Sequence, residues 1–139
     1  MKKKILIFSA GSAGREVFQL ILNINKLKDE WEVIGYVDDD PKKIGKKIDN
    51  VKVYSNKNKP QNKNIYATCG IRDSKIRKKI FEKEIIRHNY RIKNLIHPLI
   101  EKPECLKIGI GNIIFGNVHI SFSVNIKNFS IISNFCDLG

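Results

Sequence analysis

Residues 106–139 read LKIGIGNIIFGNVHISFSVNIKNFSIISNFCDLG, and this stretch decides the fold of the C-terminal part of the chain. Every sixth residue in it is a large aliphatic: Ile108, Ile114, Ile120, Ile126, Ile132 and Leu138. Four positions after each of the first five lies a fairly small residue: Asn112, Val118, Val124, Ser130 and Cys136. This period fits neither a helix nor an alternating strand, and it is typical of a hexapeptide solenoid whose short strands point their aliphatic side chains inward. The competing interpretation is an antiparallel β region with a fortuitous spacing.

The sequence before this repeat alternates predicted strands and helices. Apolar runs predict strands over residues 4–8, 31–37, 51–54, 64–69 and 91–96, and helical spacing predicts helices over residues 15–25 and 74–88. This order implies a mostly parallel sheet covered by helices. We therefore predict an α/β domain over residues 1–98, followed by an incomplete solenoid over residues 99–139.

The overall composition predicts a folded, soluble protein. The 139 residues are 42% hydrophobic and carry a net charge of +12, which favours anionic partners. The high Lys, Ile and Asn content offers a second explanation, a bias of codon usage. Three widely spaced cysteines argue against a disulfide framework and favour the cytoplasm. No apolar run is long enough to cross a membrane as a helix, so we expect no membrane partner.

A small-residue loop follows the first predicted strand. Residues 9–14, SAGSAG, match G-x-G-x-x-G except that Ser9 replaces the first glycine. Gly11 would let a ligand approach the backbone, Gly14 would let the next helix pack on the strand, and Ser12 lies at the helix start, where free N–H groups attract anions. Asp38 and Asp39 follow the second strand, where a carboxylate can accept from a ribose hydroxyl. The loop and the acids together favour a nucleotide site, and the alternative is a tight turn followed by an Asp-rich turn.

A third segment ends at the same predicted sheet edge. Gly70 closes the strand over residues 64–69, and Arg72 and Arg77 follow close enough in sequence to reach a diphosphate. The alternative is a helix cap with solvated basic residues. The basic helix that follows is interrupted by glutamates and lacks aromatics, so we expect a solvated face and no nucleic-acid partner.

The histidines, His88, His97 and His119, show no ligand-like spacing, and we predict no metal site. His97 precedes Pro98 and is expected in a turn, whereas His119 is expected to face solvent. No arrangement of side chains argues for a serine or cysteine nucleophile.

The order of these segments resembles one family, the bacterial sugar acetyltransferases of the NeuD/PglD group. The matching stretches are ILIFSAGSAGREVFQLI, VIGYVDDDP, YATCGIRDSKIRKKI, NLIHP and the hexapeptide region, which together cover nearly the whole chain. The resemblance implies a Rossmann-like domain that holds a nucleotide-sugar or sialic-acid acceptor, followed by a left-handed β-helix in a homotrimer. It also implies acetyl-CoA as cofactor and a β-helix histidine as general base.

The resemblance places Ser9, Gly11, Ser12, Gly14 and Asp38 in the acceptor site, with Asp39 and Gly70 beside them. No catalytic residue is carried over, because none of the three histidines matches the family position just after a segment like residues 133–139. We therefore expect a truncated chain without activity of its own. The alternative function is a nucleotide-sugar or dinucleotide binding module without catalysis, and an NAD-dependent redox protein is a weaker rival because Ser9 departs from the fingerprint.

Overall fold

The computed structural model describes all 139 residues and begins with a five-stranded sheet in the order β3-β4-β2-β1-β5. The strands are β1 (Lys3–Phe8), β2 (Trp31–Val37), β3 (Lys47–Ile48), β4 (Val51–Tyr54) and β5 (Tyr66–Cys69). All neighbours are parallel except β3 and β4, which form an antiparallel hairpin. The predicted mostly parallel sheet is confirmed.

Helices cover the two faces of this sheet, because successive residues of a strand point to opposite sides. Ile5 and Ile7 of β1 pack in the same core as helix α1 (Ser12–Leu27). Leu6 and Phe8 pack in a second core with helix α2 (Ser74–Ile80) and the π-helical turns Phe81–Ile86 that continue it. The continuous apolar run of β1 therefore reflects burial on both faces.

The C-terminal part is a parallel β-helix. Its strands are β6 (Leu95–Ile96), β7 (Lys107–Ile108), β8 (Ile113–Ile114), β9 (His119–Ile120), β10 (Asn125–Ile126), β11 (Ile131–Ile132) and β12 (Asp137–Leu138). Each pairs with the strand three sides away, so that Ile126 lies beside Ile108, Ile132 beside Ile114, and Leu138 beside Ile120. The parallel pairing excludes the antiparallel alternative, and three six-residue sides make one coil.

The solenoid begins earlier than the strand pattern suggested. We expected residues 91–96 to form the last strand of the α/β sheet, but Leu95 and Ile96 pair with Ile113 and Ile114 of the β-helix. Within residues 91–96, only Arg91 pairs with a strand of the sheet, through an isolated bridge to Tyr66. Leu95 lies in the core beneath α1 together with Ile113, so the two parts of the chain share apolar packing at this point.

The corners of the β-helix repeat with the same period as its sides. Positive φ angles occur at Gly111 (70°), Asn117 (57°), Ser123 (66°), Phe129 (60°) and Phe135 (63°). Non-glycine residues adopt this left-handed conformation at a cost of about 1–3 kcal/mol each. Glycine or asparagine usually marks a residue with positive φ, so the two corners occupied by phenylalanine could not be recognised from the sequence.

Asparagine side chains link successive coils through hydrogen bonds to backbone groups. Asn112 is fully buried, donates to the carbonyl of Lys127 at 2.7 Å and accepts from the N–H of Ser130 at 2.9 Å. Asn94 accepts from the N–H of Asn112 at 2.8 Å and donates to the carbonyl of Gly109 at 2.8 Å. These bonds satisfy backbone groups at the corners that the short strands leave unpaired. No helix in the chain has the length and apolar character needed to span a membrane.

Candidate functional site at the sheet edge

The glycine loop brings α1 into backbone contact with two strands. A Cβ on Gly14 would lie 1.9 Å from the carbonyl oxygen of Ser9, and one on Gly70 would lie 2.4 Å from the Cα of Gly14. Real Cβ contacts are never this short, so both positions require glycine for packing. Ser9 itself has a φ of 87°, which explains why the motif usually has glycine there.

Gly11 differs from the other two glycines. The nearest atom to a Cβ built on it is the Oγ of Ser9 at 3.5 Å, and its φ is −81°. Neither sterics nor backbone conformation within the chain therefore demands glycine at this position. No side chain caps the start of α1, which leaves the first-turn N–H groups, beginning at Ser12, free to bind an anion.

The two aspartates predicted to bind ribose have different surroundings. Asp38 accepts from the N–H of Ala10 at 2.8 Å and from the N–H of Asp40 at 2.9 Å, so its carboxylate ties the end of β2 to the glycine loop. Asp39 is exposed and makes no hydrogen bond within the chain. Asp39 is therefore the carboxylate with both oxygens available to a ligand.

A cavity of about 240 Å³ opens beside these residues, at the carboxyl ends of β1 and β2. Its polar lining consists of Ser9, Asp38, Asp39, Asn56 and Glu84, and its apolar walls include Val37 from β2 and Ile71, Ile76 and Ile80 from the α2 side. The structure thus brings together three of the predicted residues. Asn56 and Glu84 had no sequence signal, since one lies in a polar loop and the other on a helix with many charges.

Arg77, which we predicted to reach a diphosphate at this edge, does not line the cavity of about 240 Å³. Arg77 is only 6% exposed, and its Nε donates to the carbonyl of Phe129 at 2.6 Å. Its Nη1 donates to the carbonyls of Ile71 and Arg72 at 2.7 and 2.9 Å. The guanidinium therefore joins α2 to a corner of the β-helix, because burying it there satisfies three carbonyls.

Arg72 also turns toward the β-helix and does not line the cavity of about 240 Å³. It forms an ion pair with Glu16 of α1 and donates to the Oγ of Ser133 at 3.2 Å. It lines a larger cleft of about 840 Å³ between α1 and the first coils, together with His97 and Asn117. The anionic part of a nucleotide at the sheet edge would therefore depend on the N–H groups of α1.

Burial shifts the pKa values of Cys69 and Lys59. Burial raises the pKa of the Cys69 thiol to about 12, so the thiol is protonated at neutral pH. Desolvation lowers the pKa of Lys59, whose ammonium is buried against the carbonyl of Asn56 and lies 3.9 Å from the carboxylate of Glu84.

The histidines lie away from the sheet edge. His119 faces solvent, as predicted, and its Nδ1 lies 2.9 Å from the Oδ1 of Asp137 on the next coil. His97 accepts the N–H of Leu99 at 3.2 Å in the predicted turn. Neither ring lines the cavity of about 240 Å³.

Comparisons with known proteins agree with this architecture. The structure is similar to PerB from Caulobacter crescentus in complex with CoA and GDP-perosamine, with a TM-score of 0.74, 19% identity and coverage of 97% of this chain and 62% of that one. It is also similar to the acetyltransferase domain of PglB from Neisseria gonorrhoeae FA1090, both in complex with acetyl coenzyme A (TM-score 0.77) and without it (TM-score 0.79). Identity to PglB is 18%, with coverage of 99% of this chain and 65% of that one.

This chain therefore spans less than two thirds of the solved proteins that it resembles. No curated protein sequence matches it significantly. The sequence profile of the PglD N-terminal domain, however, matches residues 4–84, which is more than half of the chain. Together with the glycine loop, the parallel sheet and the β-helix that follows it, this match shows that the chain belongs to the PglD N-terminal domain family.

Proposed function

We propose that this chain is the acceptor-binding part of an acetyl-CoA-dependent sugar acetyltransferase that serves surface-glycan biosynthesis. The observation that carries the proposal is the cavity at the sheet edge, which Ser9 of the glycine loop lines together with Asp38 and Asp39, in a domain of the PglD family. The acceptor is an amino-sugar nucleotide or a sialic-acid-type sugar. Residues 1–98 hold this acceptor, and the coils of the β-helix over residues 99–139 contribute to the cofactor site.

The cavity suits a nucleotide in three respects. The first-turn N–H groups of α1 would hold a phosphate, and the absence of a Cβ on Gly11 would let that phosphate come close. The free carboxylate of Asp39 would accept from ribose hydroxyls. The apolar walls from Val37, Ile76 and Ile80 would cover the flat faces of a base.

Acetyl-CoA would supply the acetyl group to this reaction. The family resemblance implies that the cofactor lies in a groove between neighbouring β-helices. None of the three histidines in residues 1–139 matches the position of the family's general base. We therefore expect no detectable acetyl transfer by residues 1–139 on their own.

The homotrimer that the resemblance implies belongs to the same proposal. Phe122 is 77% exposed on the β-helix, where a neighbouring subunit would cover apolar surface. Light scattering after gel filtration measures the mass, and a strict monomer at every concentration would contradict trimer formation by this chain.

A thermal-shift panel tests the acceptor site. The ligands are UDP- and GDP-linked amino sugars, CMP-sialic acid, sialic acid, NAD and acetyl-CoA. We expect a sugar nucleotide to raise the melting temperature, and we expect Asp39→Asn to weaken that effect without changing the melting temperature of the free protein. Stabilisation by NAD instead, or by none of these ligands, would refute the proposed acceptor.

Asp38→Asn serves as a comparison, because Asp38 bonds to the loop backbone and its loss should also lower the stability of the free protein. Binding of a sugar nucleotide with no transfer, even after the chain is extended by further coils that supply a histidine, would favour the binding module without catalysis.

A further inference from the structure

A second cleft lies where α2 meets a corner of the β-helix near residues 127–130. Its volume is about 430 Å³. Its cationic lining is Lys75, Arg77, Lys78 and Lys127, its hydroxyl groups come from Ser74 and Ser130, and no acidic side chain lines it. The cleft is separate from the acceptor cavity, with which it shares no residue.

Arg77, which is only 6% exposed, is one of the residues that line this cleft. Its charge has no ionic partner, since no carboxylate in the chain lies within salt-bridge distance of it. The closest acid in sequence, Asp73, accepts from the N–H groups of Lys75 and Ile76 as the cap of α2. A guanidinium that is more than nine-tenths buried without a counterion is unusual, because buried charges are normally paired.

One edge of this guanidinium remains free. Nε and Nη1 make three hydrogen bonds to carbonyls, whereas Nη2 makes none within the chain. No fully buried side-chain nitrogen in the structure lacks a partner, so Nη2 must retain contact with solvent. Arg77 lines the cleft, so a ligand bound there could reach the two N–H donors of Nη2.

The geometry points to a binding site for a phosphoryl group of a small molecule in this cleft. A phosphate brings the negative charge that the four cations lack, and its tetrahedral oxygens can accept from Nη2, the lysine ammonium groups and the serine hydroxyls at once. The cleft is large enough for a mono- or diphosphate with several water molecules. Because α2 and the β-helix corner both contribute donors, the bound anion would also tie the two parts of the chain together.

Pyrophosphate is the probe, measured by thermal shift at constant ionic strength. Lys78→Gln with Lys127→Gln removes two charges from the cleft. Lys28→Gln with Lys57→Gln removes two charges from exposed positions that line none of the major cavities. We expect about fivefold weaker binding for each charge removed from the cleft, and a change of less than about twofold for the control pair.

Ser12→Asp separates this site from the acceptor site, because a carboxylate at the start of α1 repels an anion there. Pyrophosphate binding should survive Ser12→Asp while sugar-nucleotide binding is lost. If both pairs of lysine substitutions weaken pyrophosphate binding equally, the binding reflects only the net charge of the protein, and the proposed site is refuted. Loss of pyrophosphate binding in Ser12→Asp, or no binding by the wild type, would overturn it as well, whatever the outcome for the acceptor.

Discussion

Of the substitutions that add one methyl group to the glycine loop, Gly14→Ala should lower the free energy of unfolding the most. The new Cβ would lie 1.9 Å from the carbonyl oxygen of Ser9 and 2.9 Å from its carbonyl carbon, both backbone atoms. Contacts of this kind need more than 3.0 Å, so α1 and the loop must separate by about 1 Å. Such overpacking costs about 3 kcal/mol or more, a large part of the 5–15 kcal/mol that holds a typical domain folded.

Urea unfolding followed by tryptophan fluorescence measures this loss, since Trp31 is the only tryptophan and is buried in the core beside α1. Gly11→Ala is the matched control, because its Cβ would meet only the Oγ of Ser9 at 3.5 Å. We expect the control to unfold within about 1 kcal/mol of the wild type. A Gly14→Ala protein that is equally stable would refute the close approach of α1 to the Ser9 carbonyl.

Three further predictions concern stability. Phe129→Asn should destabilise the protein by about 1–3 kcal/mol, because the ring of Phe129 stacks on that of Phe81 with 4.4 Å between the ring centroids. Phe135→Asn at the equivalent, exposed corner should be neutral or stabilising, because asparagine adopts a positive φ more readily than phenylalanine. The urea midpoints of the two variants test this difference. Asn112→Ala should lower the free energy of unfolding by about 2–4 kcal/mol in the same assay, since it leaves a buried carbonyl and a buried N–H without partners. A loss under about 1 kcal/mol would contradict the role of Asn112 in linking successive coils. The hydrogen bond from Arg15 holds the pKa of Asp49 below its ordinary 3.8, so this carboxylate adds stability above that pH and loses it as the pH falls further. Asp49→Asn should therefore be less stable than the wild type at pH 6, and the gap should close below about pH 4; a gap that does not change with pH would contradict the charge effect.

Much of the fold could be predicted from local patterns. The period of six in residues 106–139 predicted the β-helix, because each short side must bury one residue and each coil must repeat to pair its strands. The unbroken apolar run of β1 predicted a strand covered on both faces. Gly14 was predicted to let the helix pack on the strand, and the structure shows the backbone contact that requires it.

The candidate site was only partly predictable. Ser9, Asp38 and Asp39 meet at one cavity because the carboxyl ends of parallel strands share one edge of the sheet. The sequence could not separate the roles of the two aspartates, since only the folded loop brings the N–H of Ala10 to Asp38.

What the sequence by itself determined is the set of regular elements and the edge at which their loops gather, because periodicity and glycine positions act through the local backbone. Only the tertiary structure determined which groups the long side chains contact. Arg77 lies within reach of the sheet edge in sequence, yet it is buried against Phe129, 52 positions away, because three carbonyls at that junction bind its guanidinium. Leu95 and Ile96 likewise joined the β-helix because strands eighteen residues further on, and not the adjacent sheet, offered them a parallel partner.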